Sequence, residues 1–191
     1  MTAGRHRRWF LADLSQLYRE VDQEAHRLAQ VHRCRLRCGR GCAACCVDGL
    51  SVFEVEAEHI RRRHGDLLAT ETPHAEGACA FLDADGACRI YADRPYVCRT
   101  QGLPLRWTEE AADGSAVELR DICPLNDAGP PIQELPPGEC WTLGPVEGRL
   151  ATLQHAASGG RMARVRLRDL FGEGRTASQD LTGGRPGGSA A

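Results

Sequence analysis

Four cysteines lie within nine residues of this chain, and they constrain its folding more than any other feature. Cys38, Cys42, Cys45 and Cys46 are separated only by glycine, alanine and one arginine. Small residues let a backbone curl tightly, as a loop must do to direct several sulfur atoms at one centre. The two-residue gap between Cys42 and Cys45 is typical of thiolates that share a metal. The segment therefore predicts a metal-binding loop.

Ten cysteines occur in the 191 residues, and a second group follows the first. The candidate metal ligands are Cys38, Cys42, Cys45, Cys46, Cys79, Cys88, Cys98 and Cys123. Eight thiolates suffice for two four-thiolate centres and four for one, so the number of centres stays open. In an extended backbone the side chains of adjacent Cys45 and Cys46 would diverge, which argues against their serving one tetrahedral ion equally. We interpret the isolated Cys34 and Cys140 as small buried apolar residues.

A disulfide framework is the alternative interpretation of so many cysteines. The N-terminus carries Arg5, Arg7 and Arg8 but no apolar stretch of secretory length, so we expect no signal peptide and a cytoplasmic location. Reducing compartments keep thiols unpaired, and cysteine clusters there are more often metal-binding or catalytic. The chain is also long enough to bury an apolar core without disulfides. Both arguments favour metal over disulfides.

Composition excludes several classes of function. The chain has no lysine, which rules out a phosphate-loop lysine, a Schiff-base lysine and a Ser–Lys dyad. No apolar run approaches the roughly 20 residues of a membrane span, so we expect no membrane insertion. Both ends of the chain are basic and its middle is acidic, but no basic stripe interleaved with aromatic residues supports nucleic-acid binding. A protein partner stays open.

Hydrophobic periodicity predicts a small single domain of α+β class, mostly helical, with irregular loops that a metal organises. Apolar residues at helical spacing predict a long N-terminal helix from about Trp9 to His32. Shorter helices are predicted from Val52 to His64, from Pro145 to Ala157 and from Met162 to Phe171. We expect Gly65 to lie just past the end of the Val52–His64 helix.

Two pairs of short extended segments are also predicted. Leu103–Thr108 and Ala116–Asp121 are expected to form a hairpin, because an Asp-Gly turn signal lies between them. Ala80–Leu82 and Cys88–Tyr91 flank a second predicted turn. Asp93 is placed to cap a short helix that follows.

Composition also divides the chain into four segments. They are an N-terminal helix over 1–33, a cysteine-cluster metal-binding domain over 34–157, a C-terminal helix over 158–171 and a disordered tail over 172–191. Within the second segment, Glu54, Glu56 and Glu58 form an acidic run. Glu54 and Glu58, at positions i and i+4, could bind a metal, but we interpret them as a solvated helix face.

The cysteine blocks follow one another in a specific order. Cys38–Cys46 is followed by Val52–Ile60, then by Cys79–Arg99 with the string CAFLDADGACRIYADRPYVCR, and finally by Asp121–Asn126. In this order the blocks resemble the YkgJ-type cysteine-cluster family, the second block nearly position for position. The resemblance covers roughly residues 34–155 and implies a zinc- or iron-chelating domain. Similar domains occur within flagellin lysine N-methylases, but this chain is far shorter and shows no evident methyl-donor loop.

An all-thiolate donor set narrows the choice of metal to zinc or an iron–sulfur cluster. Zinc sites usually pair two short Cys-x2-Cys steps, whereas three cysteines of one loop with a distant fourth suit a 4Fe–4S cluster. We therefore favour an iron–sulfur cluster, or iron, over zinc. Arg35, Arg37, Arg40, Arg89 and Arg99 lie near candidate ligands, and either offset the negative charge of the site or are solvated loop residues.

Three functions are compatible with such a centre. The favoured one is a metal-binding protein with a redox, metal-handling or accessory role. The second is a metal-dependent enzyme component that acts in protein modification, which predicts a cleft beside the cysteines and an open ligand position. The third is a structural zinc module whose basic ends bind a protein partner, which predicts closed four-ligand sites. No residue is identified as catalytic.

Overall fold

The computed structural model describes residues 3–172, with side chains from Trp9 onward. The helices of this region are α1 (Ala3–Val31), α2 (Glu54–Arg63), α3 (Gly65–Thr70), α4 (Tyr96–Arg99) and α5 (Pro145–Ser158). The strands are β1 (Ser51–Phe53), β2 (Leu105–Glu110), β3 (Ala116–Asp121), β4 (Trp141–Thr142) and β5 (Arg164–Arg166). The fold is α+β and mostly helical, so the predicted class is confirmed.

The longest helix, α1, buries one apolar stripe and forms the first core. Leu14, Leu17, Val21 and Leu28 are almost completely buried and pack with side chains of α2, α4 and α5. The N-terminal helix predicted from apolar spacing is thus confirmed. It ends within one residue of the predicted boundary and begins earlier than predicted.

Two of the predicted helices are replaced in part by strands. Ser51–Phe53, where the second helix was expected to start, forms β1, and α2 begins only at Glu54. β1 pairs antiparallel with β5, so the helix predicted over Met162–Phe171 is wrong. Its residues form β5 and then the 3₁₀ helix Leu167–Phe171. Pairing with a partner distant in the sequence overrides local helical periodicity here.

The predicted hairpin and the helix after it are confirmed. β2 and β3 pair antiparallel, and β4 adds to the other edge of β2 in parallel. α5 extends only one residue beyond its predicted end. The predicted strands Ala80–Leu82 and Cys88–Tyr91 are reduced to a single bridge between Leu82 and Cys88.

A second core lies beneath the later cysteines. Phe81, Ile90, Leu170 and Phe171 are nearly inaccessible and pack with Ile60 of α2. The ring centroids of the two phenylalanines are 4.9 Å apart. Apolar burial therefore anchors the block Cys79–Arg99 on α2 and on the C-terminal turn.

The remaining predictions concern boundaries and the ends of the chain. α2 ends at Arg63, one residue before the predicted end, and Gly65, expected just past that end, begins α3. No helix in residues 3–172 is long and apolar enough to cross a membrane. The predicted tail over 172–191 lies outside the described residues except for Gly172. The division of the chain into four segments remains a prediction.

Candidate metal centre

The structure brings five thiols from separate parts of the chain into one neighbourhood. We call them the thiol cluster: Cys45, Cys46, Cys79, Cys88 and Cys98. The backbone N–H of Cys79 donates a 2.9 Å hydrogen bond to the carbonyl of Cys46. The first cysteine loop and the later block therefore meet in space, as a shared centre requires.

The thiols are close enough to influence one another's ionisation. Burial, together with the charges of Cys79, Cys88 and Cys45, raises the pKa of Cys98 to about 12. Burial also raises the pKa of Cys79 and of Cys88, and the charge of Cys79 adds to the effect on Cys88. Such thiols resist losing their protons together, and a bound cation would reverse this by supplying the opposite charge.

Adjacent Cys45 and Cys46 are joined by a hydrogen bond between their side chains. The bond lowers the pKa of Cys45 to about 6 and raises the pKa of Cys46. The prediction that the side chains of Cys45 and Cys46 diverge assumed an extended backbone, and it is wrong here. The backbone turns between Ala43 and Cys46, where the Cys46 N–H donates to the Ala43 carbonyl at 2.9 Å.

The other three candidate ligands, Cys38, Cys42 and Cys123, lie on loops outside the thiol cluster. Cys38 Sγ accepts a 3.2 Å hydrogen bond from Asn126 Nδ2, and Cys123 directly precedes the 3₁₀ helix that carries Asn126. Cys42 stands in a turn closed by its N–H on the carbonyl of Gly39 at 3.0 Å. In the described part of the chain, no three His, Cys, Asp or Glu side chains form a group that could hold a metal as they stand. The ligand set therefore stays a prediction.

The two cysteines interpreted as buried apolar residues differ from each other. All ten cysteines are free thiols. Cys140 is only 5% exposed and packs with Ile122 and Ile132, which confirms the prediction for it. Cys34 is exposed, and the prediction for it is wrong. It lies in the turn beyond the end of α1, where the apolar stripe of that helix has already ended.

A buried carboxylate, Glu56, holds the helix that carries Cys98. It is 4% exposed and accepts hydrogen bonds from the Tyr18 hydroxyl and the Tyr96 N–H, each at 2.9 Å. Burial raises the pKa of Glu56. The charged segment Glu54–Glu58 did not by itself indicate that this carboxylate is buried. Its spacing could have revealed it, because Glu56 lies one turn before Ile60 on the buried face of α2.

Asp93 does not cap α4 as predicted, since Pro95 is the residue before that helix. Its carboxylate turns back to the end of α2 instead. There it accepts hydrogen bonds from His64 Nε2 at 2.9 Å and from His59 Nε2 at 3.2 Å, and Arg63 Nε lies 3.4 Å away. These contacts dock the chain before α4 onto α2, because a charged acceptor satisfies several donors at once.

A half-buried ion pair that the sequence did not reveal joins the cysteine loops. Asp48 accepts two 2.9 Å hydrogen bonds from Arg168, which lowers the pKa of Asp48 to about 2. The same guanidinium donates to three carbonyls in the segment 74–78. Arg168 thus holds the loop before Cys79 against the loop after Cys46.

Three of the five arginines beside candidate ligands are partly or fully buried rather than solvated. Arg99 donates to Asp22 at 2.6 Å and stacks over the Tyr18 ring, 3.9 Å from its centroid. Arg89 donates to the carbonyl of Ala80 at 2.7 Å, and Arg35 donates to the carbonyl of Pro130. The interpretation of solvated loop arginines is therefore wrong for these three. Their effect on a bound metal remains a prediction.

The segment that contains these cysteines also matches a known family. Residues 37–124 match the model of the CxxCxxCC family, described as "putative zinc- or iron-chelating domain". The match covers 88 of the 191 residues, and over that segment the chain is similar to this family. The matched segment contains all eight candidate ligands but neither Cys34 nor Cys140, and its description supports a cysteine-cluster metal-binding protein. No curated protein and no solved structure matches the chain.

Two surface grooves lie away from the thiol cluster. One of about 200 Å³ opens among α1, α2 and α5 and is lined by Phe10, Val55 and Gln154. The other, of about 290 Å³, lies past the end of α1 and is lined by Cys34 and Arg35. Neither is lined by a candidate ligand, so neither is the cleft that an enzymatic role of the cysteine-cluster domain predicts.

Proposed function

We propose that the cysteine-cluster domain binds an iron–sulfur cluster, or iron, and serves a redox, metal-handling or accessory role in the cytoplasm. The observation that carries the proposal is the thiol cluster itself, in which five side chains from distant segments share one neighbourhood. Burial raises the pKa of Cys79, Cys88 and Cys98, so these three thiols resist ionisation, and a bound cation would remove that resistance. The reducing cytoplasm keeps such thiols available.

The chemistry of the donor set supports a soft metal. Thiolates favour zinc and iron–sulfur clusters, whereas hard cations prefer oxygen. Two histidines of the domain, His59 and His64, are engaged with Asp93. We favour iron–sulfur over zinc because the loop over residues 38–46 supplies several closely spaced thiols, as in loops that hold a cubane cluster.

The proposed ligands are the thiol cluster together with Cys38, Cys42 and Cys123, in one centre or two. An iron–sulfur cluster, when bound, would supply one-electron transfer. The protein's own contribution is to hold the sulfur atoms in place. Glu56 and Asp93 hold the helix of Cys98 in this way, through the contacts described above.

Purification without oxygen, followed by absorbance and metal analysis, tests this proposal. We expect a brown protein with broad absorption near ~400 nm and stoichiometric iron and sulfide. Cys98→Ser should lose most of the bound metal, because it removes a thiolate from the cluster. Cys140→Ser is the control, since Cys140 is a free thiol that lies outside the matched segment 37–124; its metal content should stay at the wild-type level.

The outcomes separate the proposed functions. A colourless protein with stoichiometric zinc would overturn the preference for iron and support the structural zinc module. A folded protein with free thiols and no metal would overturn the metal-binding proposal altogether. Equal metal loss in Cys98→Ser and Cys140→Ser would contradict the placement of the centre at the thiol cluster.

A further inference from the structure

We propose that Asn126 is a positioning residue for Cys38, an inference that rests on the proposed function. Asn126 is the only asparagine in the chain and is completely buried. Its side chain reaches from the end of the third sequence block to the first cysteine loop, 88 residues earlier. The two blocks are thus connected through one amide group.

Every hydrogen-bonding group of the Asn126 side chain is in use. Nδ2 donates to Cys38 Sγ at 3.2 Å and to the carbonyl of Gly102 at 2.8 Å. Oδ1 accepts from the backbone N–H of Arg37 at 2.7 Å. Cys38 and the residue before it are therefore both held by the same buried side chain.

The geometry requires an amide at this position. An aspartate would keep the acceptor for Arg37 but would lose both donated bonds, and it would place an anionic oxygen beside the sulfur. A leucine of similar size would lose all three bonds. The sulfur occupies the space beside Gly102, where an added Cβ would lie 2.5 Å from Cys38 Sγ.

The hydrogen bond from Asn126 to Cys38 Sγ orients a side chain whose loop makes few apolar contacts. Cys38 is exposed, and no residue from 36 to 50 is buried, so this loop has little apolar contact to fix it. N–H groups that donate to ligating atoms orient those atoms and tune the metal, and their loss typically weakens metal binding about 10- to 100-fold. We infer that Asn126 performs this task for Cys38.

A purely structural role of Asn126 predicts a different pattern, and Gln154 provides the comparison. Gln154 is also a buried amide, 1% exposed. It accepts from Val55 N–H at 3.0 Å and donates to the carbonyl of Arg161 at 2.9 Å. If only a bonded, buried amide mattered, Asn126→Asp and Gln154→Glu would affect metal retention alike.

The first test needs no metal. With a single asparagine, selective ¹⁵N-asparagine labelling of the full-length chain yields one pair of side-chain amide proton signals. Cys38→Ala should shift the signal of the proton that faces the sulfur, whereas Cys34→Ala should leave both unchanged. Unchanged signals in Cys38→Ala would overturn the inference, whatever the metal content.

The second test measures how fast bound metal leaves the protein. Wild type, Asn126→Asp and Gln154→Glu are purified without oxygen, and metal release to an excess of chelator is followed. We expect release from Asn126→Asp to be at least about tenfold faster than from wild type, with Gln154→Glu near the wild-type rate. Equal release from folded Asn126→Asp and wild type would overturn the inference.

Two controls keep the tests decisive. Circular dichroism checks folding, and if Asn126→Asp does not fold, Asn126→Ser replaces it because a serine hydroxyl retains one donor. If the wild type binds no metal, the proposed function fails, while the amide signals still decide whether Asn126 holds Cys38.

Discussion

At the scale of single residues, the loop that carries Cys38 depends on polar contacts and on the absence of a side chain at one position. Gly102 has a φ of +91°, a conformation that favours glycine, and its Cα faces the sulfur of Cys38. Gly114, in the β2–β3 turn, has a φ of +80° but has no atom near where a Cβ would stand. Both glycines have a positive φ, but Gly102 is buried and a Cβ there would lie 2.5 Å from Cys38 Sγ and 3.1 Å from Asn126 Nδ2, whereas Gly114 is exposed.

We expect Gly102→Ala to reduce metal content strongly, because the new Cβ would displace Cys38 Sγ. Gly114→Ala should cost a similar ~1 kcal/mol of folding free energy through its positive φ, with full metal content. Metal per chain and thermal unfolding of the metal-free proteins measure the two effects. Equal metal content in both variants would show that Cys38 is not held at Gly102.

At the scale of elements, the short helix α4 is placed by side chains of its neighbours and not by its own propensity. Four residues are too few for a helix that is stable by itself. Glu56 bonds to its first N–H, and Asp93 fastens the preceding turn to His59 and His64 at the end of α2. The position of Cys98 follows from these contacts.

Asp93→Asn should destabilise the metal-free protein by about 1 kcal/mol at pH 7, because bonds to a charged acceptor are lost. Burial raises the pKa of Asp93, but the bonds from His59 and His64 and the charge of Arg63 outweigh burial and lower it. The carboxylate therefore stabilises the fold above the unfolded-state pKa of about 3.9, and this contribution is lost as the pH falls through the folded-state pKa.

Urea unfolding of wild type and Asp93→Asn at pH 7 and pH 3 measures this effect. The difference in unfolding free energy should shrink toward zero at the lower pH. Asp66→Asn, on the exposed side of α3, is the control and should change stability little at either pH. A difference that is independent of pH would mean that the carboxylate charge of Asp93 does not contribute.

At the scale of the whole molecule, two apolar cores hold the helices while the first cysteine loop lies outside them. α1 has its own buried stripe, and the second core lies beneath Phe81 and Ile90. None of residues 36–50 is buried. Order in this loop must therefore come from hydrogen bonds and from bound metal, since apolar burial does not supply it.

Removing metal with a chelator should therefore loosen the loop and spare the cores. We expect backbone amides of residues 36–50 to exchange hydrogen faster in the metal-free protein, while those of α1 between Leu14 and Leu28 stay protected. Hydrogen-exchange mass spectrometry of the same preparation with and without chelator measures this. Identical exchange of the loop in both states would contradict a metal contribution to its order.

Several elements were predictable because their determinants lie close together in sequence. The apolar spacing of α1, the Asp-Gly turn of the β2–β3 hairpin and the extent of α5 are local signals, and each is confirmed. The strands β1 and β5 were not predicted because each forms only by pairing with the other, which is distant in the sequence. Glu56 and Arg168 were missed in the same way, since their partners are distant in the chain.

The amino-acid sequence alone determined the donor chemistry and the main helices, because residue type and short-range spacing are local properties of the sequence. It identified eight candidate thiols, all of which lie within the cysteine-cluster domain. Only the tertiary structure decided which thiols approach one another and that Asn126 lies against Cys38. The physical reason is that such proximity results from packing and hydrogen bonds between distant segments, and one sequence does not specify these pairings locally.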